Sequence, residues 1–269
     1  MDMKVAYAGF DLLSPCLEAL EEAGCQIMKL FTFPTNNVYE FNRAVTDFAQ
    51  KRNIPWTDQR VTSGDLLALL DQGCEALFSA GYIYKIPVDT PLRCANVHPA
   101  LLPLGRGPWP MPCTILKGLR ESGVTIHKVA AGFDTGDILL QRPFPVTEAD
   151  TLETMTETIR RLAPQVLAQA VRDFDRLWDK AVPQGAGEYW PEPAGEELVI
   201  RPEDAAAWAD RVVRAFAGYG CTLRLPDRDI TVLRGEARRE DHGQRPGTVR
   251  LADGAREYAL SDGWLRVLA

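Results

Sequence analysis

Across the first eighty residues, short β-branched or apolar runs alternate with segments whose apolar residues recur every three or four positions. Residues 4–8 form a β-rich run ending at Ala8-Gly9, and Leu13, Leu17 and Leu20 follow at helical spacing up to Gly24. Residues 25–33 return to strand character. Val38, Phe41, Val45 and Phe48 mark a helix over 38–52, Ile54-Pro55-Trp56 is extended, 65–73 is helical and 76–80 is a strand running into Gly81. Such alternation predicts an α/β fold, a mostly parallel Rossmann-like sheet with helices on both faces. Ligands of these sheets bind in the crevice at the carboxyl ends of the strands.

Further along, residues 91–112 are proline-rich with little periodicity, the mark of an irregular segment kept for function or mobility. Residues 124–129 and 138–141 read as two strands around a glycine-rich turn. One long helix is predicted over 151–180, with Leu152, Met155, Ile159, Leu162, Val166, Ala170 and Phe174 on one face and Thr151 as N-cap; its charges read as a solvated face. Composition changes near residue 181, where a Pro/Gly-rich connector begins. Beyond it lie a helix around 205–216 and turn signals at Asp227-Arg228-Asp229, Arg245-Pro246-Gly247, Asp253-Gly254 and Asp262-Gly263. These divide the chain into a catalytic domain, 1–182, and a small β-rich, OB-like module, 190–269, with Trp190, Trp208 and Trp264 in its core.

Several classes are excluded or disfavoured. The charged fraction is 25% and the hydrophobic fraction 46%, so the chain is a globular one. No apolar run approaches the roughly 20 residues that span a bilayer, and the first nine residues lack a signal-peptide core. Six scattered cysteines form no C-x-x-C pair, which argues against structural zinc and disulfides and points to a reducing cytoplasm. Thirty basic against 37 acidic side chains give a net charge of −7, which weighs against nucleic acid as the main ligand.

Chemistry concentrates between residues 94 and 141. Asn96 and His98 alternate on a strand end and so share a face. An amide donor beside an imidazole suits a carbonyl oxygen that gains charge. Asp134 lies in the glycine-flanked turn after the next strand, within reach of the same edge, where a carboxylate is expected to raise the histidine pKa. Together the three suit attack on a carbonyl near neutral pH. His127 reads as structural or supporting, His242 as solvated, and Asp137 as a turn residue.

Four ordered blocks carry a resemblance: Asn96-Val97-His98 with Leu101-Leu102-Pro103, Arg106-Gly107, Ser122-Gly123-Val124-Thr125-Ile126-His127, and Asp134-Thr135-Gly136. The chain resembles the folate-dependent formyltransferases, which include the methionyl-tRNA, glycinamide ribonucleotide and amino-sugar enzymes. The resemblance implies 10-formyltetrahydrofolate as formyl donor, a primary amine as acceptor and no metal. It implies Asn96, His98 and Asp134 as catalytic residues. The oxyanion would be held by Asn96 and a protonated His98, with Asp134 keeping His98 cationic and helping to collect the amine proton. It implies a pterin site lined by Ile83, Tyr84, Lys85 and Ile86 and by Ala130, Ala131, Gly132 and Phe133. Phe10, Asp11 and Ser14 are expected to border the acceptor, with helix capping by Asp11 or Ser14 as the alternative, and Arg106 either to meet an anionic acceptor or to hold loop carbonyls. Ala100 and Gly105 depart from the family pattern on the acceptor side. A small-molecule amine is the favoured acceptor. Initiator tRNA is the alternative, opposed by the acidic charge and by the absence of Lys or Arg in residues 32–42. A formate-releasing hydrolase and a non-catalytic folate binder are weaker readings.

Overall fold

A computed structural model of the chain describes residues 2–36 and 41–268. They fall into two compact units: one of Met1–Pro108, Ser122–Phe144 and Glu157–Trp190, the other of Trp109–Glu121, Pro145–Thr156 and Pro191–Ala269. The division is interleaved, where composition suggested a single boundary between residues 182 and 190. Two mid-chain segments group with the C-terminal part.

The first unit is built on a seven-stranded sheet. In chain order the elements through residue 179 are β1 (Lys4–Gly9), α1 (Pro15–Glu22), β2 (Gln26–Phe31), α2 (Arg43–Lys51), β3 (Trp56–Thr57), α3 (Ser63–Asp71), β4 (Ala76–Ala80), β5 (Arg93–His98), α4 (Pro110–Leu116), β6 (Glu121–Lys128), β7 (Ile138–Pro145), α5 (Leu152–Arg172) and α6 (Phe174–Asp179), of which α4 and the first turn of α5 belong to the second unit. Strand order is β3-β2-β1-β4-β5-β6-β7. Strands β1 to β5 pair in parallel. β1 is buried on both faces, as a covered parallel strand must be, and its Val5, Ala6, Tyr7 and Ala8 are fully enclosed. Thr62 and Asp65 form a capping box that starts α3.

Four local expectations change. The helix expected over 38–52 begins at Arg43; Phe41 precedes it and is exposed, and Val38 lies outside the described residues. Residues 91–112 contain β5 and the start of α4, so the segment is only partly irregular. The helix expected over 151–180 breaks at Asp173, whose φ of −116° leaves the helical region and whose break lets Phe174 pack edge-on against Phe78. β6, whose direction the sequence left open, pairs antiparallel to β5, with His127 opposite Asn96 and Thr125 opposite His98. Trp190, expected in the C-terminal module, instead packs within this unit, buried over Gly105.

The second unit adds β8 (Val199–Ile200), α7 (Ala206–Ala215), β9 (Cys221–Arg224), β10 (Asp229–Val232), β11 (Arg234–Arg239), β12 (Val249–Ala252), β13 (Ala255–Ala259) and β14 (Gly263–Leu268). Its strands form a three-stranded sheet, β10-β9-β8, and an antiparallel four-stranded sheet, β11-β14-β13-β12, in place of one continuous barrel. Asp253 and Gly254 both take positive φ, the geometry of a tight two-residue hairpin. Glu257 is buried beneath Arg250, which donates to it at 2.7 Å and stacks on Trp264. His242, read as solvated, packs on Trp264 and lies 2.9 Å from the Gly263 carbonyl oxygen. Among the described residues all six cysteines are free and buried, no helix is long and apolar enough to cross a membrane, and no cluster of metal-ligating side chains occurs.

Candidate active site

The carboxyl end of β5 carries Asn96 and His98, and the turn after β6 carries Asp134. The structure brings all three together, with Asp134 Oδ1 as the meeting point. Asn96 Nδ2 donates to it at 3.3 Å, and His98 Nδ1 lies 3.5 Å away. A fourth group joins them. His127 Nε2 lies 3.4 Å from the same oxygen and 3.1 Å from Asn96 Nδ2. Sequence spacing did not mark His127 as a site residue, because only the antiparallel β5–β6 register sets it opposite Asn96.

Asp134 reaches this point through an unusual turn. Its φ is 55°, in the left-handed region that favours glycine. Gln184, a residue sequence reasoning did not single out, holds that conformation. Its Nε2 donates to the carbonyls of Asp134 at 3.0 Å and Gly136 at 2.6 Å. Its Oε1 accepts from Arg106 Nε at 3.1 Å and Nη2 at 2.9 Å. Arg106 also donates to the Gly185 carbonyl, so its guanidinium braces loops. The Gly107 N–H donates to Asp134 Oδ2 at 2.9 Å. Gly105 carries φ +76°, and a Cβ there would come within 2.8 Å of the Trp190 ring, which explains the missing side chain at this departure from the family pattern.

Burial decides the electrostatics. His98 is 4% exposed, and desolvation holds its pKa below the ordinary histidine value although the Asp134 charge pulls it upward. The expected rise is therefore reversed. His98 Nε2 lies 2.7 Å from the Gly105 carbonyl, which assigns the proton to Nε2 and leaves Nδ1 toward Asp134 as a lone pair. Desolvation raises the Asp134 carboxyl, but the His98 charge present in acid, His127 and the Gly107 N–H outweigh it and hold the pKa at about 2.

A narrow cleft of about 60 Å³ opens beside this cluster. Of the expected pterin residues, Tyr84, Lys85, Ile86, Ala130, Gly132 and Phe133 line it, together with Asn96, His127 and Asp134. Ile83 points to solvent and Ala131 stays outside the lining, its carbonyl accepting from Lys85 Nζ at 3.3 Å. His98 is also outside the lining. Phe10 lies outside it too and packs on Phe33 at 5.4 Å, part of the aromatic layer behind Tyr82 and Tyr84. Asp11 caps α2, accepting from the N–H groups of Ala44 at 2.9 Å and Val45 at 3.1 Å, and Ser14 Oγ donates to the Asp11 carbonyl. The contacts thus show the capping alternative for Asp11, while the Ser14 hydroxyl makes no cap hydrogen bond.

The model for the formyl transferase family matches residues 44–171. Methionyl-tRNA formyltransferase of Thiobacillus denitrificans is 30% identical over 279 residues, spanning 99% of this chain and 90% of that protein. The chain belongs to the formyltransferase family. Solved structures share the fold of this formyltransferase at lower identity. An N-formyltransferase from Helicobacter canadensis, in complex with folinic acid and dTDP-3-aminofucose, aligns with a TM-score of 0.73 at 17% identity, covering 99% of this chain and 98% of that one. HypX from Aquifex aeolicus in complex with tetrahydrofolic acid aligns with a TM-score of 0.68 at 20% identity over 99% of this chain; the formyltransferase spans 44% of the length of HypX.

Proposed function

We propose that this enzyme moves the formyl group of 10-formyltetrahydrofolate to the primary amine of a small molecule, an amino-sugar nucleotide or an amino-acid-derived metabolite. The observation carrying the reading is the convergence of Asn96, His98 and an ionised Asp134, of which Asn96 and Asp134 open onto a cleft with aromatic lining. The relatives with folates, and the one with an aminosugar nucleotide, support the choice of donor and acceptor. The lining suits a flat heterocycle in kind, with Tyr82, Tyr84, Ile86 and Phe133 among its residues. The cleft is far smaller than the roughly 300 Å³ of ordinary ligand pockets, so donor entry requires the 82–86 and 129–134 segments to part. The six free buried thiols accord with a reducing, cytoplasmic setting.

In this reading the Asn96 amide faces the formyl oxygen as negative charge develops there. Asp134, ionised at neutral pH, accepts the proton that the attacking amine must lose. His98, resting neutral with Nδ1 free behind Asp134, takes that proton from the carboxyl and hands it back, and Asp134, which lines the cleft, delivers it to the leaving nitrogen of the donor. Its Nε2–H on Gly105 keeps the ring in the needed orientation throughout. The resting imidazole thus acts as a proton relay, and its cationic form arises during turnover. Asn96→Ala is expected to lower kcat by about 10²–10³-fold, the usual cost of one oxyanion donor, with the fold intact.

A second reading, methionyl-tRNA formylation, draws on the 30% identity spread over the whole chain. Against it stand the net charge of −7 and the lack of Lys or Arg in residues 32–42. Following tetrahydrofolate release from 10-formyltetrahydrofolate across a panel of amines and charged initiator tRNA separates the two. Turnover with aminosugar nucleotides or amino acids supports the first; turnover with the tRNA alone overturns it.

A further inference from the structure

A second cavity lies within the second unit and contains none of the candidate active-site residues. It holds about 290 Å³, near the lower end of small-molecule pockets. Arg120, Arg211, Arg214 and Arg239 border it, with Glu148 and Asp210 as its acids. Two of these arginines are neutralised in place. Arg120 pairs with Glu148 at 2.6 Å, and Arg214 pairs with Asp210 at 2.7 Å and donates to the Asp150 carbonyl.

The other two are not. Arg239 has only a 3.8 Å approach to Asp262 and is 80% exposed, a pair too loose and wet to cancel its charge. Arg211 is half-buried on α7. Its Nε is enclosed without a hydrogen-bond partner, and no ion pair to it occurs among the described residues. Gly118, with φ +65°, leaves the space its guanidinium occupies; a Cβ there would sit 3.2 Å from Nη1. Leaving such a donor unmet is costly, and a guanidinium fork matches the paired oxygens of a phosphate. Leu119, Val146 and Ala237 add apolar lining.

We propose that this pocket binds a phosphate monoester: the dianionic phosphate on Arg211 and Arg239, a small organic body against the apolar lining. A surplus of two positive charges matches the dianion. A polyanion such as RNA is disfavoured, because residues 191–269 carry 12 arginines against 14 acidic side chains and would repel a backbone running past the pocket. The assignment does not depend on the proposed acceptor or donor.

The test is calorimetry on the full chain with glycerol 3-phosphate, with glycerol, succinate and a short RNA as comparisons. Saturable binding of glycerol 3-phosphate is expected, with no heat from glycerol. Arg211→Gln, which keeps the bulk but not the charge, should weaken it about tenfold or more, the loss of one charge-assisted contact. Arg239→Ala, exposed and harmless to folding, should weaken it several-fold, and Arg228→Ala should leave it unchanged. No binding by the wild-type protein at about 10 mM ligand, unchanged affinity in both Arg211→Gln and Arg239→Ala, or succinate or RNA binding as tightly as the phosphate ester would each overturn the proposal.

Discussion

Replacing Gln184 by Glu removes the two N–H donations that hold the Asp134 turn and keeps the acceptor that Arg106 uses. The side chain is matched in size, and its two oxygens then face the carbonyls of Asp134 and Gly136, which now lie 3.0 and 2.6 Å from Nε2. Each hydrogen bond contributes about 1 kcal/mol net, so the clamp supplies about 2 kcal/mol. That is comparable with the roughly 1–2 kcal/mol cost of holding a non-glycine residue in the left-handed region, where Asp134 sits at φ 55°. Without the clamp the turn relaxes, and the carboxylate leaves Asn96 and His98. A 2 kcal/mol loss in the transition state corresponds to a fall of about 30-fold in kcat/KM. Steady-state formyl transfer, measured beside a thermal melt, tests this. Arg106→Ala leaves both Nε2 donations in place and is expected to cost less than Gln184→Glu. A Gln184→Glu enzyme with wild-type kcat/KM, or an Arg106→Ala enzyme more impaired than it, refutes the argument.

Three further outcomes follow from the same geometry. Because burial depresses the His98 pKa and the neutral ring is the working form, the acid limb of kcat/KM should lie below the ordinary histidine value of about 6.5; a limb above it contradicts the assignment. Asp134, lowered from 3.8 to about 2, contributes stability that is fully present above pH 3.8 and is lost as pH falls toward 2. At 1.36 kcal/mol per unit this amounts to about 2 kcal/mol, so urea titrations at pH 5 and pH 2.5 should show a smaller acid loss in Asp134→Asn than in wild type. Lys85 bridges the cleft by donating to the Ala131 carbonyl and lying 5.3 Å from the Phe133 ring, so Lys85→Ala should lower the donor KM about two- to fivefold with kcat unchanged; a raised KM would mean that Lys85 holds the donor.

The strand–helix alternation made the parallel half of the sheet legible because each covered strand needs an uninterrupted apolar run, as β1 shows. Asn96 and His98 were readable as a pair for an equally local reason: side chains two apart on a strand share a face. The position of Asp134 beside them came from a turn whose glycines flank the carboxylate. Helix ends were less legible. The break at Asp173 and the late start of α2 depend on what Phe174 and the Asp11 carboxylate pack against or cap, and these partners are distant in sequence.

What only the tertiary structure decided is the company these residues keep. The antiparallel register of β5 and β6 put His127 into the site, and direction of pairing leaves no mark on a single strand. Gln184, fifty residues beyond Asp134, became the clamp of its turn because loop carbonyls need donors wherever the chain can supply them. Local sequence places a carboxylate near a histidine and so predicts a raised pKa. Enclosure reversed the sign, since desolvation depends on everything packed around the ring and spacing records only the neighbour along the chain.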